Sequence, residues 1–118
     1  MMEALLYDKL EDQGVRCRLC AHRCLILEGK RGICGVRENR GGTLHSLVYG
    51  QVVAQATDPI EKKPLFHFHP GSAALSIATV GCNLRCAFCQ NADISQAPRE
   101  TGRIIGRHTP PERIVQAA

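Results

Sequence analysis

Seven cysteines in 118 residues, spaced as a four and a three, constrain this chain more than any other feature. Cys17, Cys20, Cys24 and Cys34 read C-x2-C-x3-C-x9-C, and after a gap of 47 residues Cys82, Cys86 and Cys89 read C-x3-C-x2-C. The count is odd, and the start Met1-Met2-Glu3 lacks the basic-then-apolar order of a secretory leader. Both argue against a disulfide framework, and the tight spacings argue for metal. Four protein ligands close a tetrahedral site, whereas three leave one coordination position free. The first group therefore reads as structural and the second as reactive.

The remainder of the chain fits a globular protein of one domain or a piece of one, with 44% hydrophobic and 22% charged residues. No apolar run approaches the roughly 18 residues of a membrane span, so the expected location is cytoplasmic, with no membrane partner. Seven of the 15 cations fall between Arg16 and Arg40 against only Glu28 and Glu38, a local charge of +5. Cations among thiolates lower thiol pKa and offset the charge of a bound site. Nucleic-acid binding is the lesser reading, because a chain with no Trp, two Tyr and three Phe lacks stacking platforms.

For the first group the favoured ligand is zinc on a knuckle-like turn, with Gly29, Gly32 and Gly35 giving the backbone its freedom. A ferredoxin-type cluster is open, since thiolates suit both, although the spacing is neither ferredoxin run. Free buried thiols are the plain alternative. His22 lies inside the group and reads as a solvent-facing loop residue before it reads as a ligand.

The second group follows the apolar segment Leu75 to Val80, flanked by Gly71 and Gly81. Such a segment predicts a buried parallel strand that delivers a loop to an active site. C-x3-C-x2-C is not a zinc pair of pairs. Three thiolates this close can cap three irons of a cubane and leave the fourth without a protein ligand. A zinc held by three cysteines and a water is the competing reading.

Cys82, Cys86, Phe88 and Cys89 resemble the signature of the radical S-adenosylmethionine superfamily, C-x3-C-x-aromatic-C after the first barrel strand. The resemblance implies a 4Fe-4S cluster on the three cysteines, S-adenosylmethionine on the fourth iron, and Phe88 near the adenine. It also implies reductive cleavage to methionine and a 5′-deoxyadenosyl radical, with an electron donor as partner. The similarity extends through Cys17-Arg-Leu-Cys20-Ala-His-Arg-Cys24, Gly32-Ile-Cys34-Gly-Val-Arg37, Asp58-Pro-Ile-Glu-Lys-Lys-Pro-Leu-Phe-His-Phe68 and Cys89-Gln-Asn91. Together these blocks resemble the radical enzyme of the AmmeMemoRadiSam system, a relative of the pyruvate formate-lyase activating enzymes. That branch implies protein partners from the same system and no secure substrate.

Leu5, Leu6 and Leu10 predict a short amphipathic helix over Glu3 to Asp12. Thr43 to Val48 and Gln51 to Thr57 predict a hairpin around Tyr49-Gly50, with His45 as a strand residue. Phe66 to His69 alternates and predicts a strand with aromatics on one face and histidines on the other. Lys62 and Lys63 are candidates to pair with the cofactor's carboxylate, and Asn83 and Arg85 are loop residues of undefined role. Residues 92–107 read as a polar loop, and Thr109-Pro-Pro-Glu112 as the capped start of a helix. The expected class is α/β: a Cys-rich metal module (1–42), a β-hairpin and connector (43–71), and the start of a TIM-type radical S-adenosylmethionine barrel (72–118). A full eight-unit barrel takes roughly 250 residues, so the chain reads as an incomplete and, alone, inactive fragment whose first strand lacks a parallel partner. A small iron-sulfur electron carrier and a zinc-ribbon interaction module are the alternatives from other classes.

Overall fold

The computed structural model describes all 118 residues. In chain order the elements are β1 (Met2–Glu3), β2 (Tyr7–Lys9), a 3-10 turn (Glu11–Gln13), β3 (Val15–Cys17), β4 (Leu25–Ile26), β5 (Arg37–Arg40) and β6 (Thr43–Ser46). There follow β7 (Gln51–Val52), β8 (Ala54–Pro59), a 3-10 turn (Ile60–Lys62), β9 (Ala73–Ala78), α1 (Ala92–Ser95), α2 (Ala97–Thr101), β10 (Arg107–His108) and α3 (Pro111–Ala117). The strands form four small sheets, ordered β1-β6-β5, β2-β3-β4, β8-β9 and β10-β7. Every pairing between them is antiparallel. No helix is long and apolar enough to cross a membrane.

The first two sheets share one core, in which Ala4, Val15, Cys17, Ile26 and Leu44 pack together with Tyr7 and Cys24 against them. Alternation explains who enters. Val15 and Cys17 point inward on β3 while Arg16 points out, and Arg37 and Asn39 point inward on β5. Asn39 is fully buried yet satisfied, donating from Nδ2 to the carbonyls of Gln13 and Ile26 and accepting from Gly42 N on Oδ1.

Several sequence expectations give way here. The helix over residues 3–12 is replaced by β1, β2 and a 3-10 turn. Leu5, Leu6 and Leu10 are exposed, and the buried residue is Ala4, which donates its N–H to Leu44 O at 2.8 Å. The hairpin around Tyr49-Gly50 does not form. β6 instead pairs with β5 across a turn made by Gly41 and Gly42, both at positive φ, with Arg37 opposite Ser46 and Arg40 opposite Thr43.

The strand expected at Leu75 to Val80 runs from Ala73 to Ala78, and its neighbour is β8, antiparallel over six residue pairs. Its side chains are half-buried or exposed, not the buried set of a parallel core strand. Phe66 to His69 is a loop, with both phenylalanines exposed and the Phe68 ring edge-on to His69. Residues 92–101 are not a loop, since they carry the short helices α1 and α2. α3 forms where expected, but its N-cap is Pro110, and the Thr109 hydroxyl donates to Arg107 O without capping the helix.

Candidate metal centre

The first cysteine group is built by β3, the turn after it and the loop leading into β5. Cys17 ends β3, and its N–H donates to Cys24 O at 2.9 Å, folding the segment back on itself. A turn closes between Arg23 N and Cys20 O, and a second between Gly35 N and Gly32 O brings in Cys34. Arg37 reaches under this loop from β5. It is buried, with Nη1 donating to Cys17 Sγ at 2.9 Å and Nη2 donating to Leu5 O. Arg37 is in none of the ion pairs, and its side-chain hydrogen bonds go to a sulfur and a carbonyl.

Most other cations of the +5 stretch have internal partners too. Arg18 pairs with Asp8, Arg31 and Arg40 share Glu38, and Arg16 and Arg23 donate to backbone carbonyls. Burial alone would raise the Glu38 carboxyl, but hydrogen bonds and charge from Arg40 and Arg31 outweigh it and hold its pKa below the usual glutamate value.

The second group sits on the loop after β9. Gly81 turns the chain there at φ +98°, with its N–H donating to Ile94 O on α1. A turn closes from Cys89 N to Cys86 O. Cys82 Sγ accepts from Leu84 N at 3.4 Å, Cys89 Sγ lies 3.5 Å from Ser95 Oγ, and Cys86 is exposed. Phe88 is 87% exposed, free to lie against a ligand. Arg99 on α2 holds the loop from behind, donating to the carbonyls of Cys82 and Leu84, to Ile33 O of the first group and to Gln96 Oε1, all within 3.2 Å.

The two groups meet. Cys17, Cys20, Cys24, Cys34 and Cys82 line one cavity of about 770 Å³, with Arg37 in its wall. His22 Nε2 bonds the Asn83 carbonyl at 2.7 Å across the junction. A Cβ on Gly81 would stand 2.5 Å from Val36 Cγ1 and 3.2 Å from Cys34 O, so the backbones approach as closely as glycine permits. Cys86 and Arg85 face a separate small pocket with Gln96, Arg99 and Glu100.

All seven cysteines carry free thiols. No three of the Cys, His, Asp and Glu side chains are gathered tightly enough for a single metal ion. Three thiols on one eight-residue loop are the donor type that a cluster takes, one to an iron; in this structure Cys82 lines the larger cavity and Cys86 the smaller pocket. Lys62 and Lys63 both pair with Asp58. Hydrogen bonding from Lys62, with charge from both lysines, holds the Asp58 carboxyl below its usual range. Arg37, Arg99 and His22 are the contributors that sequence reading did not single out for these contacts. Their only signal was position inside or just after the cysteine blocks.

No family model matches the chain, and no solved structure matches it. Two curated proteins of Methanocaldococcus jannaschii do. "Uncharacterized protein MJ0808" is 51% identical over 118 residues, which is 100% of this chain and 35% of that protein. "Uncharacterized protein MJ0674" is 36% identical over 81 residues, 68% of this chain and 19% of that protein. The chain thus spans about a third of the length of the first of these relatives, and its match to the second covers less.

Proposed function

We propose that this chain is the cluster-binding part of a radical S-adenosylmethionine enzyme and belongs to a longer barrel. The observation that carries the reading is the loop Cys82 to Cys89, which sets three thiols and the exposed Phe88 directly after β9. The group it would hold, a 4Fe-4S cluster with S-adenosylmethionine on its open iron, supplies one-electron cleavage of the sulfonium to methionine and a 5′-deoxyadenosyl radical.

The chain's own residues have separate tasks. Cys82, Cys86 and Cys89 hold three irons, and Phe88 offers a ring face to the adenine. Arg99 fixes the loop backbone through the carbonyls of Cys82 and Leu84, which limits how far the sulfurs can wander. Val36 and Val80 line the cavity beside Cys82.

The test is electron paramagnetic resonance of anaerobically reconstituted, reduced protein with and without S-adenosylmethionine, on this chain and on the longer jannaschii relative. The expected result is a cluster signal that shifts with the cofactor, and it is this cofactor-responsive signal that is lost in Cys86→Ala. A signal that stays put in both proteins would refute the reading and indicate an electron carrier.

A further inference from the structure

The first cysteine group does not have the shape of a closed zinc site. Around one zinc, with Zn–S bonds of about 2.3 Å, four sulfurs sit roughly 3.8 Å apart and leave no space between them. Here no three of the cysteines are gathered tightly enough for one ion, and Cys17, Cys20, Cys24 and Cys34 share with other side chains the lining of one cavity of about 770 Å³. Its wall is mostly apolar, with Leu5, Ile26, Val36 and Val80 among the lining residues, and the one carboxylate on it is Glu3.

We propose that Cys17, Cys20, Cys24 and Cys34 hold an iron-sulfur cluster of their own, distinct from the one on the Cys82 loop and set against that loop. Four thiolates are the donor set of a fully ligated cluster. A thiolate-bound cluster carries net negative charge, and the buried Arg37 guanidinium, which already donates to Cys17 Sγ, is the cation placed to offset it. A hydrogen bond to ligand sulfur is also one of the features by which proteins set cluster potentials. The site requires only the residues of this group, so it does not depend on S-adenosylmethionine binding at the other.

The experiment compares wild type, Cys20→Ser/Cys24→Ser and Cys86→Ser/Cys89→Ser after anaerobic reconstitution with iron and sulfide in the presence of equimolar zinc. Iron, sulfide, zinc and the reduced resonance spectrum are read for each. The wild type should hold about twice the iron and sulfide of either variant, and Cys86→Ser/Cys89→Ser should stay brown with a spectrum indifferent to S-adenosylmethionine. A colourless Cys86→Ser/Cys89→Ser protein carrying one zinc would overturn the proposal. If Cys20→Ser/Cys24→Ser does not fold, the wild-type count decides, with one cluster plus one zinc refuting and two clusters supporting. Two clusters of which neither responds to S-adenosylmethionine would uphold this site while removing the enzyme reading.

Discussion

Gly81 is where the two cysteine groups are closest, and its lack of a side chain is a packing requirement. A methyl there would press on Val36 Cγ1 at 2.5 Å, and the backbone sits at φ +98°, where L residues are strained. Overpacking costs about 1–3 kcal/mol, so Gly81→Ala should lower unfolding free energy by about 3 kcal/mol and loosen the cysteine loop. Gly41 provides the control, because its Cβ would meet nothing within 4 Å at φ +61°. Gly41→Ala should cost about 1 kcal/mol from backbone conformation alone. Urea unfolding of the two variants checks the contrast, and equal losses would show that the junction is not tightly packed. Glu38 offers a pH test at the same scale. Its folded pKa lies below the ordinary 4.5 because Arg40 and Arg31 outweigh burial. It therefore adds stability above the unfolded value, and that stability is lost as pH falls through the folded one. Glu38→Gln should be about 1 kcal/mol less stable than wild type at pH 7. The gap should close on acidification below the carboxylate range. A gap independent of pH would mean that the ion pairs contribute nothing.

Among the elements, the sequence was readable where one residue type dominates a short span and unreadable where partners lie far apart. Leu75 to Val80 announces a strand and Pro110-Pro111 a helix start, and both elements are present within two residues. The leucines at positions 5, 6 and 10 satisfy a helical period, yet that period says nothing about β6 and β3, which claim residues 2–3 and 7–9 as strands. The turn that joins β5 to β6 lies at Gly41-Gly42, not Tyr49-Gly50, and it places Asn39 in the core opposite Leu44. The strand pairing of β8 with β9 was hidden, since thirteen residues of loop and 3-10 turn, 60–72, separate them. In the candidate site the cysteine spacing was legible, whereas the joining of the two groups was not. Arg99 reaches back 66 residues to Ile33, and His22 forward 61 to Asn83. No local pattern in one sequence encodes contacts of that range.

At the scale of the molecule, the polypeptide core is thin for the chain it has to hold. Only 14 of 118 residues are buried, and the largest apolar cluster has five members. The radius of gyration is 16.4 Å, against about 13.5 Å for a compact domain of this length. Small cores need additional ties, and metal-thiolate bonds are the ones these cysteines can supply. A metal that binds the folded chain better than the unfolded one adds its binding free energy to folding. Anaerobically reconstituted protein should therefore melt at least about 10 °C above the same protein stripped by chelator, since each kcal/mol moves a domain of this size by about 4–8 °C. The effect should also be local. Cys17 of β3, Ile26 of β4, and Cys82 and Asn83 of the loop line the cysteine cavity, so the amides of β3, β4 and the loop from Cys82 to Cys89 should lose hydrogen-exchange protection on stripping. The β8-β9 ribbon carries mostly exposed or half-buried side chains, and its protection should be weak with metal and without it. If melting and exchange were the same in both states, the cysteines would not be the ties that close this fold, and its stability would have to come from the five-residue cluster alone.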